Sequence, residues 1–143
     1  MIYQAANDTK PWCVYSTSHP AGFFYMGKGR TALVAAGKYT GSGVRYNLCL
    51  TLPEFDPSTW STVILETFNT EEEAYQSEER LVTHESLANP FMLNMMQGGR
   101  KGKYKTPSTL LRRYRTDSKR ARALELKLKR KEREIVSKAR AAA

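Results

Sequence analysis

Apolar and polar positions divide this chain into short extended stretches, one well-capped helix and a long charged helix. Trp12 to Ser16 and Gly22 to Gly27 are aromatic and β-branched, and a run of turn formers, Ser-His-Pro-Ala-Gly, joins them. The spacing predicts two paired strands. Trp60 to Phe68, β-branched and partly alternating, predicts a third strand. Between them, Val44 to Leu52 predicts a short helix ended by Pro53, and Phe55-Asp56-Pro57-Ser58 a turn. Asn69 to Glu73 opens a further helix. Thr70 is a good N-cap, Glu73 completes a capping box, and the acids suit the positive end of the helix dipole. Ala74, Glu78, Leu81, Val82 and Glu85 then fall on neighbouring turns, and Glu78 is a carboxylate beside the apolar stripe.

The last third reads differently. Lys101 to Ser108 is a basic linker punctuated by Pro107. From Ser108 or Thr109 onward the chain has no Gly or Pro and is rich in Ala, Leu, Lys, Arg and Glu, which predicts one long helix or two that break near Asp117-Ser118. Ala121, Leu124, Leu128 and Ile135 can share a face, but Lys131 interrupts a heptad. The expected fold is a small α+β domain: a three-stranded, mainly antiparallel sheet flanked by helices, with a basic helical extension. Its divisions fall at residues 1–99, a linker over 100–107 and a tail over 108–143.

Charge sharpens this division. The net charge of +9 is uneven: residues 100–143 carry 17 Lys and Arg against four acids, a net +13, so the first 99 residues carry a net −4. A near-neutral domain with a basic tail points to nucleic acid as partner. No apolar run reaches the length of about 18 residues that a transmembrane helix requires, and the first ten residues lack a signal-peptide pattern. Cys13 and Cys49 make no metal spacing and no disulfide framework, and are expected to act as small buried hydrophobes. The expected setting is cytoplasmic and reducing, away from membranes.

Candidate chemistry starts from two tyrosines, Tyr15 at the end of Cys13-Val14-Tyr15 and Tyr25 at the start of Tyr25-Met26-Gly27. Paired strands can bring two phenols to one face. Lys28 follows at once, and Tyr39-Thr40-Gly41-Ser42-Gly43 comes after a short spacer. Its glycines mark a tight loop where backbone can approach a ligand, at a spacing that fits neither a P-loop nor a dinucleotide fingerprint.

Over residues 12–99 these motifs resemble the GIY-YIG nucleases, and the Tyr-x-Gly-Ser-Gly segment resembles a phage-type, homing-endonuclease-like branch of them. Both tyrosines and Gly27 match; Cys13 stands where the first glycine would be, and Val14 and Met26 replace the isoleucines. Ala74, Glu78 and Val82 match the family's helix pattern, and Pro90 to Asn94 its proline-to-asparagine segment.

The resemblance implies a metal-dependent DNA endonuclease of phage type, serving homing or the cleavage of host or rival DNA. It implies that Tyr15 and Tyr25 hold or activate a water, that Glu78 is the sole protein ligand of one divalent cation, Mg2+ or Mn2+, and that Asn94 supports the site by hydrogen bonding. Such chemistry needs a water to lose a proton, the added charge on phosphorus to be neutralised and the leaving oxygen to be stabilised. A guanidinium suits a non-bridging oxygen; Arg45 is the first choice and Arg30 the second. Lys28, Tyr39 and Ser42 are candidate phosphate or water contacts. Arg100, Lys101, Lys103, Lys105, Arg112, Arg113, Arg115, Lys119, Arg120 and Arg122 are candidate DNA contacts in the tail. His19 and His84 are available proton carriers that no spacing demands. Double-stranded DNA is the expected partner, and monomer and dimer are both open. Two other readings stand beside this one: an inactive nucleic-acid-binding protein that keeps the fold, and a basic helical interaction protein.

Overall fold

The computed structural model describes residues 3–4, 10–94, 98 and 118–142. The strands are β1 (Tyr3–Gln4), β2 (Trp12–Ser18), β3 (Phe24–Arg30) and β4 (Ser61–Phe68), in the sheet order β1-β4-β2-β3. β2 is antiparallel to both β3 and β4, as expected for the three-stranded core, and the two-residue β1 adds a parallel partner to β4 that no sequence pattern announces. The strands of the hairpin run further than their apolar patterns. A turn at His19–Phe23 closes it, with the Gly22 amide donating to the His19 carbonyl at 2.9 Å.

Five α-helices are described, α1 (Thr31–Ala35), α2 (Val44–Cys49), α3 (Glu71–Leu81), α4 (His84–Leu87) and α5 (Lys119–Ala142), with two short 3-10 turns at Pro53–Phe55 and Pro57–Thr59 where the sequence predicts a turn. The small-residue stretch after β3 is helical, which its composition did not announce. Thr70 caps α3 as expected: its hydroxyl accepts from the Glu73 amide at 3.2 Å and donates to the Glu73 carboxylate at 2.9 Å. α3 stops before Val82 rather than carrying on through Glu85, because Thr83 starts α4 by accepting from the Ser86 amide at 3.1 Å.

Register sorts the sheet into two faces. Tyr15 opposes Gly27 and Thr17 opposes Tyr25, so all four share a face with Cys13 and Ile64. Val34 of α1 packs there. Val14 and Phe68 lie on the other face, under Ala74 of α3. β3 is the edge strand on this side, and residues 91–94 cover it. The Phe24 amide donates to the Phe91 carbonyl at 3.0 Å and the Leu93 amide to the Phe24 carbonyl at 2.8 Å. Asn94 completes the strip, accepting from the Met26 amide at 3.0 Å and donating to the Met26 carbonyl at 2.7 Å. Covering an open edge in this way satisfies backbone groups that otherwise recruit another chain.

The start of the basic extension is core. Ala121, Leu124 and Leu128, one face of α5, are buried against Tyr46, Cys49, Phe55, Trp60 and Leu93. A stripe too weak for a coiled coil is sufficient for docking onto the domain, so the helix is not a free arm over its whole length. From residue 132 onward it is exposed. The linker, any helix over 108–117, and Arg100, Lys101, Lys103, Lys105, Arg112, Arg113 and Arg115 lie outside the described residues. Among the described residues, no helix is long and apolar enough to cross a membrane.

Candidate active site

Glycine makes room for the first phenol. A Cβ at Gly27 would stand 2.7 Å from the Tyr15 hydroxyl and 3.0 Å from the Tyr25 ring, so the bare strand lets the two tyrosines lie together over β3. Tyr39 meets Tyr15 edge-on, with ring centroids 6.0 Å apart. Tyr15 is fully buried, whereas Tyr25 and Tyr39 are half-buried.

The Tyr-x-Gly-Ser-Gly loop is a collar around Tyr25. A Cβ on Gly43 would come within 2.6 Å of the Tyr25 ring, and one on Gly41 within 2.7 Å of the Tyr46 ring and 3.1 Å of that of Tyr25. Ser42, between them, favours the ionised form of Tyr25. Tyr46 stacks on Tyr25 with centroids 5.6 Å apart, and its hydroxyl bonds that of Thr40 at 2.8 Å. Thr17 ties the collar to the central strand by donating to the Thr40 carbonyl at 2.8 Å. Sequence reasoning named the loop but missed Tyr46 and Thr17. An aromatic just past a glycine loop that already follows two tyrosines was the available signal.

Glu78 comes from α3, which packs on the opposite face, and yet its charge reaches both phenols. Glu78 is half-buried, whereas Glu79 is exposed. Burial is the main force that raises the Tyr15 hydroxyl above its ordinary pKa, followed by the neighbouring Tyr25, Tyr39 and Glu78. Burial also raises Tyr25, against the opposing influence of Ser42. Both phenols are therefore neutral at physiological pH. The Tyr15 hydroxyl lies close enough to Tyr39 to sense it, but no protein group completes a hydrogen bond to it. A buried hydroxyl left so costs about 1–3 kcal/mol, and such groups mark sites that receive a water or a ligand.

Other named residues are held elsewhere. Arg45 is buried and ion-paired to Glu125 of α5 at 2.5 Å. Arg30 lies over the Trp12 ring, on the face away from the phenols. Lys28 shares that face, 5.0 Å from the Trp12 centroid and 4.3 Å from that of Tyr75, and 3.3 Å from a Glu71 oxygen. Asn94 does not reach the phenols; it fixes the backbone of Met26, between Tyr25 and Gly27. His19 is a turn residue: its Nδ1 accepts from the Ala21 amide at 3.0 Å, and its ring packs on Phe55 and Trp60. Cys13 and Cys49 are buried free thiols, both raised in pKa by that burial. Lys119, Arg120 and Arg122 stand on the first turn of α5.

Among the described residues no group of three or more His, Cys, Asp or Glu side chains is poised to hold a metal. Glu78 is the carboxylate whose charge acts on both phenols, and a lone carboxylate suits a hard cation that keeps most of its waters. Comparison with family models, with curated proteins and with solved structures returns no match to this chain.

Proposed function

We propose that this chain is a metal-dependent DNA endonuclease of GIY-YIG type, and that Tyr15, Tyr25, Tyr39 and Glu78 form its reacting site. The observation that carries the reading is the convergence itself. Three phenols, drawn from β2, β3 and a loop, lie together around a buried Tyr15 hydroxyl left without a partner, and Glu78 of α3 lies near enough for its charge to act on two of them.

In this reading the neutral phenols do not remove a proton themselves. Tyr15 offers its hydroxyl to a water, and Tyr25, steadied by Tyr46 and the close-fitting Gly41 and Gly43, fixes that water's direction against phosphorus. Fixed dipoles aimed at developing charge cost nothing to reorganise when the bond breaks. Glu78 would hold a Mg2+ or Mn2+ ion, which when bound acidifies a water and neutralises charge on the phosphate and the leaving oxygen. Tyr39, half-exposed at the rim, is a contact for the substrate backbone. The exposed half of α5, with Arg133, Lys138 and Arg140, serves as a phosphate-contacting arm.

A second reading is favoured by one observation: Arg45 and Arg30 are both committed away from the phenols. An inactive DNA-binding protein that keeps the fold would show this too. Supercoiled plasmid incubated with Mg2+ or with chelator, alongside fluorescence anisotropy on a labelled duplex, separates the two. Nicking that requires the metal supports the nuclease; tight binding with no nicking in Mg2+ or Mn2+ supports the binding protein.

A further inference from the structure

We propose that the C-terminal helix positions the tyrosine site, acting through the buried Arg45–Glu125 pair. The catalytic consequence rests on the nuclease reading; the positioning itself does not.

α2 has only six residues, and isolated helices shorter than about 12 residues are marginal. Its place is therefore set by what grips it from either side. On the sheet side, Tyr46 stacks on Tyr25 and bonds Thr40, and Gly43, which precedes the helix, lies against the Tyr25 ring. On the other side, Arg45 pairs with Glu125 at 2.5 Å, and Cys49 packs with Leu124 and Leu128. Arg45 and Tyr46 are adjacent in the chain, so a shift at one is passed to the other through a single peptide unit.

The pair is well shielded, with side-chain exposures of 9% for Arg45 and 18% for Glu125. The Arg45 Nε and the Glu125 Oε2 are both buried without a completed hydrogen bond, so the pair is held by close-range charge attraction. Removing one member of such a pair strands the other charge in a low-dielectric interface, and the interface rearranges to rehydrate it. That rearrangement moves α2, and α2 carries the seat of Tyr25. Glu125 is thus a positioning residue for a phenol that it does not touch.

The test compares full-length wild type, Glu125→Gln, a control at the exposed Leu126 (Leu126→Ala), and the swapped pair Arg45→Glu with Glu125→Arg. Tyrosine ring resonances are read by NMR on labelled protein, with plasmid nicking in Mg2+ followed in parallel. Glu125→Gln, still helical by circular dichroism, is expected to move the Tyr25 and Tyr46 resonances. It should also lower kcat about tenfold or more while leaving KM for DNA within about threefold. The swap should return the resonances toward wild type. Unmoved Tyr25 resonances in folded Glu125→Gln, or an equal movement in Leu126→Ala, overturn the proposal. If Glu125→Gln does not fold, the swap decides: wild-type Tyr25 resonances support the proposal, and a displaced Tyr25 or an unfolded swap overturns it. Resonances that move as expected in a protein whose wild type never cleaves DNA remove the nuclease reading and leave the positioning role intact.

Discussion

Gly43→Ala isolates the packing of the collar from backbone strain. Gly43 has φ −64° and ψ 140°, a conformation that alanine adopts freely, so the substitution carries no conformational penalty. What it meets is the Tyr25 ring, 2.6 Å from the new methyl at the nearest carbon and 3.3 Å at two others. Carbon atoms rest at about 3.5–4.0 Å, so the ring or the loop must yield by about 1 Å. Overpacking of this kind costs about 1–3 kcal/mol, partly offset by the lower entropy of the unfolded chain. Under the proposed nuclease reading the larger effect falls on turnover, since a 1 Å displacement of a catalytic group costs about a hundredfold. Gly37→Ala is the complementary control: φ is +71° and nothing lies within 4 Å of its new methyl, so it brings strain without a clash. It should lose about 1–2 kcal/mol of stability and keep its turnover. Urea denaturation gives the stabilities and initial rates of plasmid nicking the turnovers. Full turnover in Gly43→Ala would refute the reasoning, as would a Gly37→Ala variant that loses activity as severely.

Leu124→Ala should cost about 2–5 kcal/mol in denaturant melts, because it opens a cavity between α5 and the domain; an effect below about 0.5 kcal/mol would mean that the docking is dispensable. Truncation after residue 117 should abolish cooperative unfolding, whereas truncation after residue 130 should preserve it. The shorter truncation removes Lys131, Arg133, Lys138 and Arg140. Each phosphate that such a side chain neutralises adds about 0.9 to the slope of log DNA affinity against log salt, so the slope should flatten by up to about 3.6. Burial holds the Cys49 thiol at a pKa of about 12, so it stays protonated through pH 9, and thiol reagents should label it only after denaturation. The bond from Lys127 lowers the Glu54 pKa, so its small stabilisation of α5 docking is complete above the ordinary glutamate value and fades as acidification passes the lowered one. Glu54→Gln should therefore narrow the difference in stability between neutral and acid pH, measured by urea melts.

Much of the frame was legible in the sequence because it rests on local rules. The hairpin follows from two aromatic stretches around a turn-rich segment, and α3 from Thr70 and Glu73, whose side chains do bond one another. Glu78 stands apart from Glu79 because a carboxylate beside an apolar stripe is drawn inward with it. Long-range partnerships were not legible. Lys28 follows Gly27 directly, but strand alternation turns it to the other face, where Trp12 and Tyr75 take it up. Arg45 lies on the expected helix, and only α5, far along the chain, explains why it is committed to Glu125. Ala121, Leu124 and Leu128 look thin beside a coiled-coil template; their partners are Tyr46, Cys49 and Trp60, which no local pattern links to them.

The central claim is that one carboxylate and its neighbouring phenols cut DNA. The most direct measurement is the initial rate of plasmid nicking in Mg2+ by wild type, Glu78→Ala and Glu79→Ala, each shown by anisotropy to bind the same duplex. The account predicts metal-dependent nicking by wild type and Glu79→Ala and none above background by Glu78→Ala, whose binding persists. Nicking by Glu78→Ala at the wild-type rate, or loss of activity in Glu79→Ala alone, would contradict it.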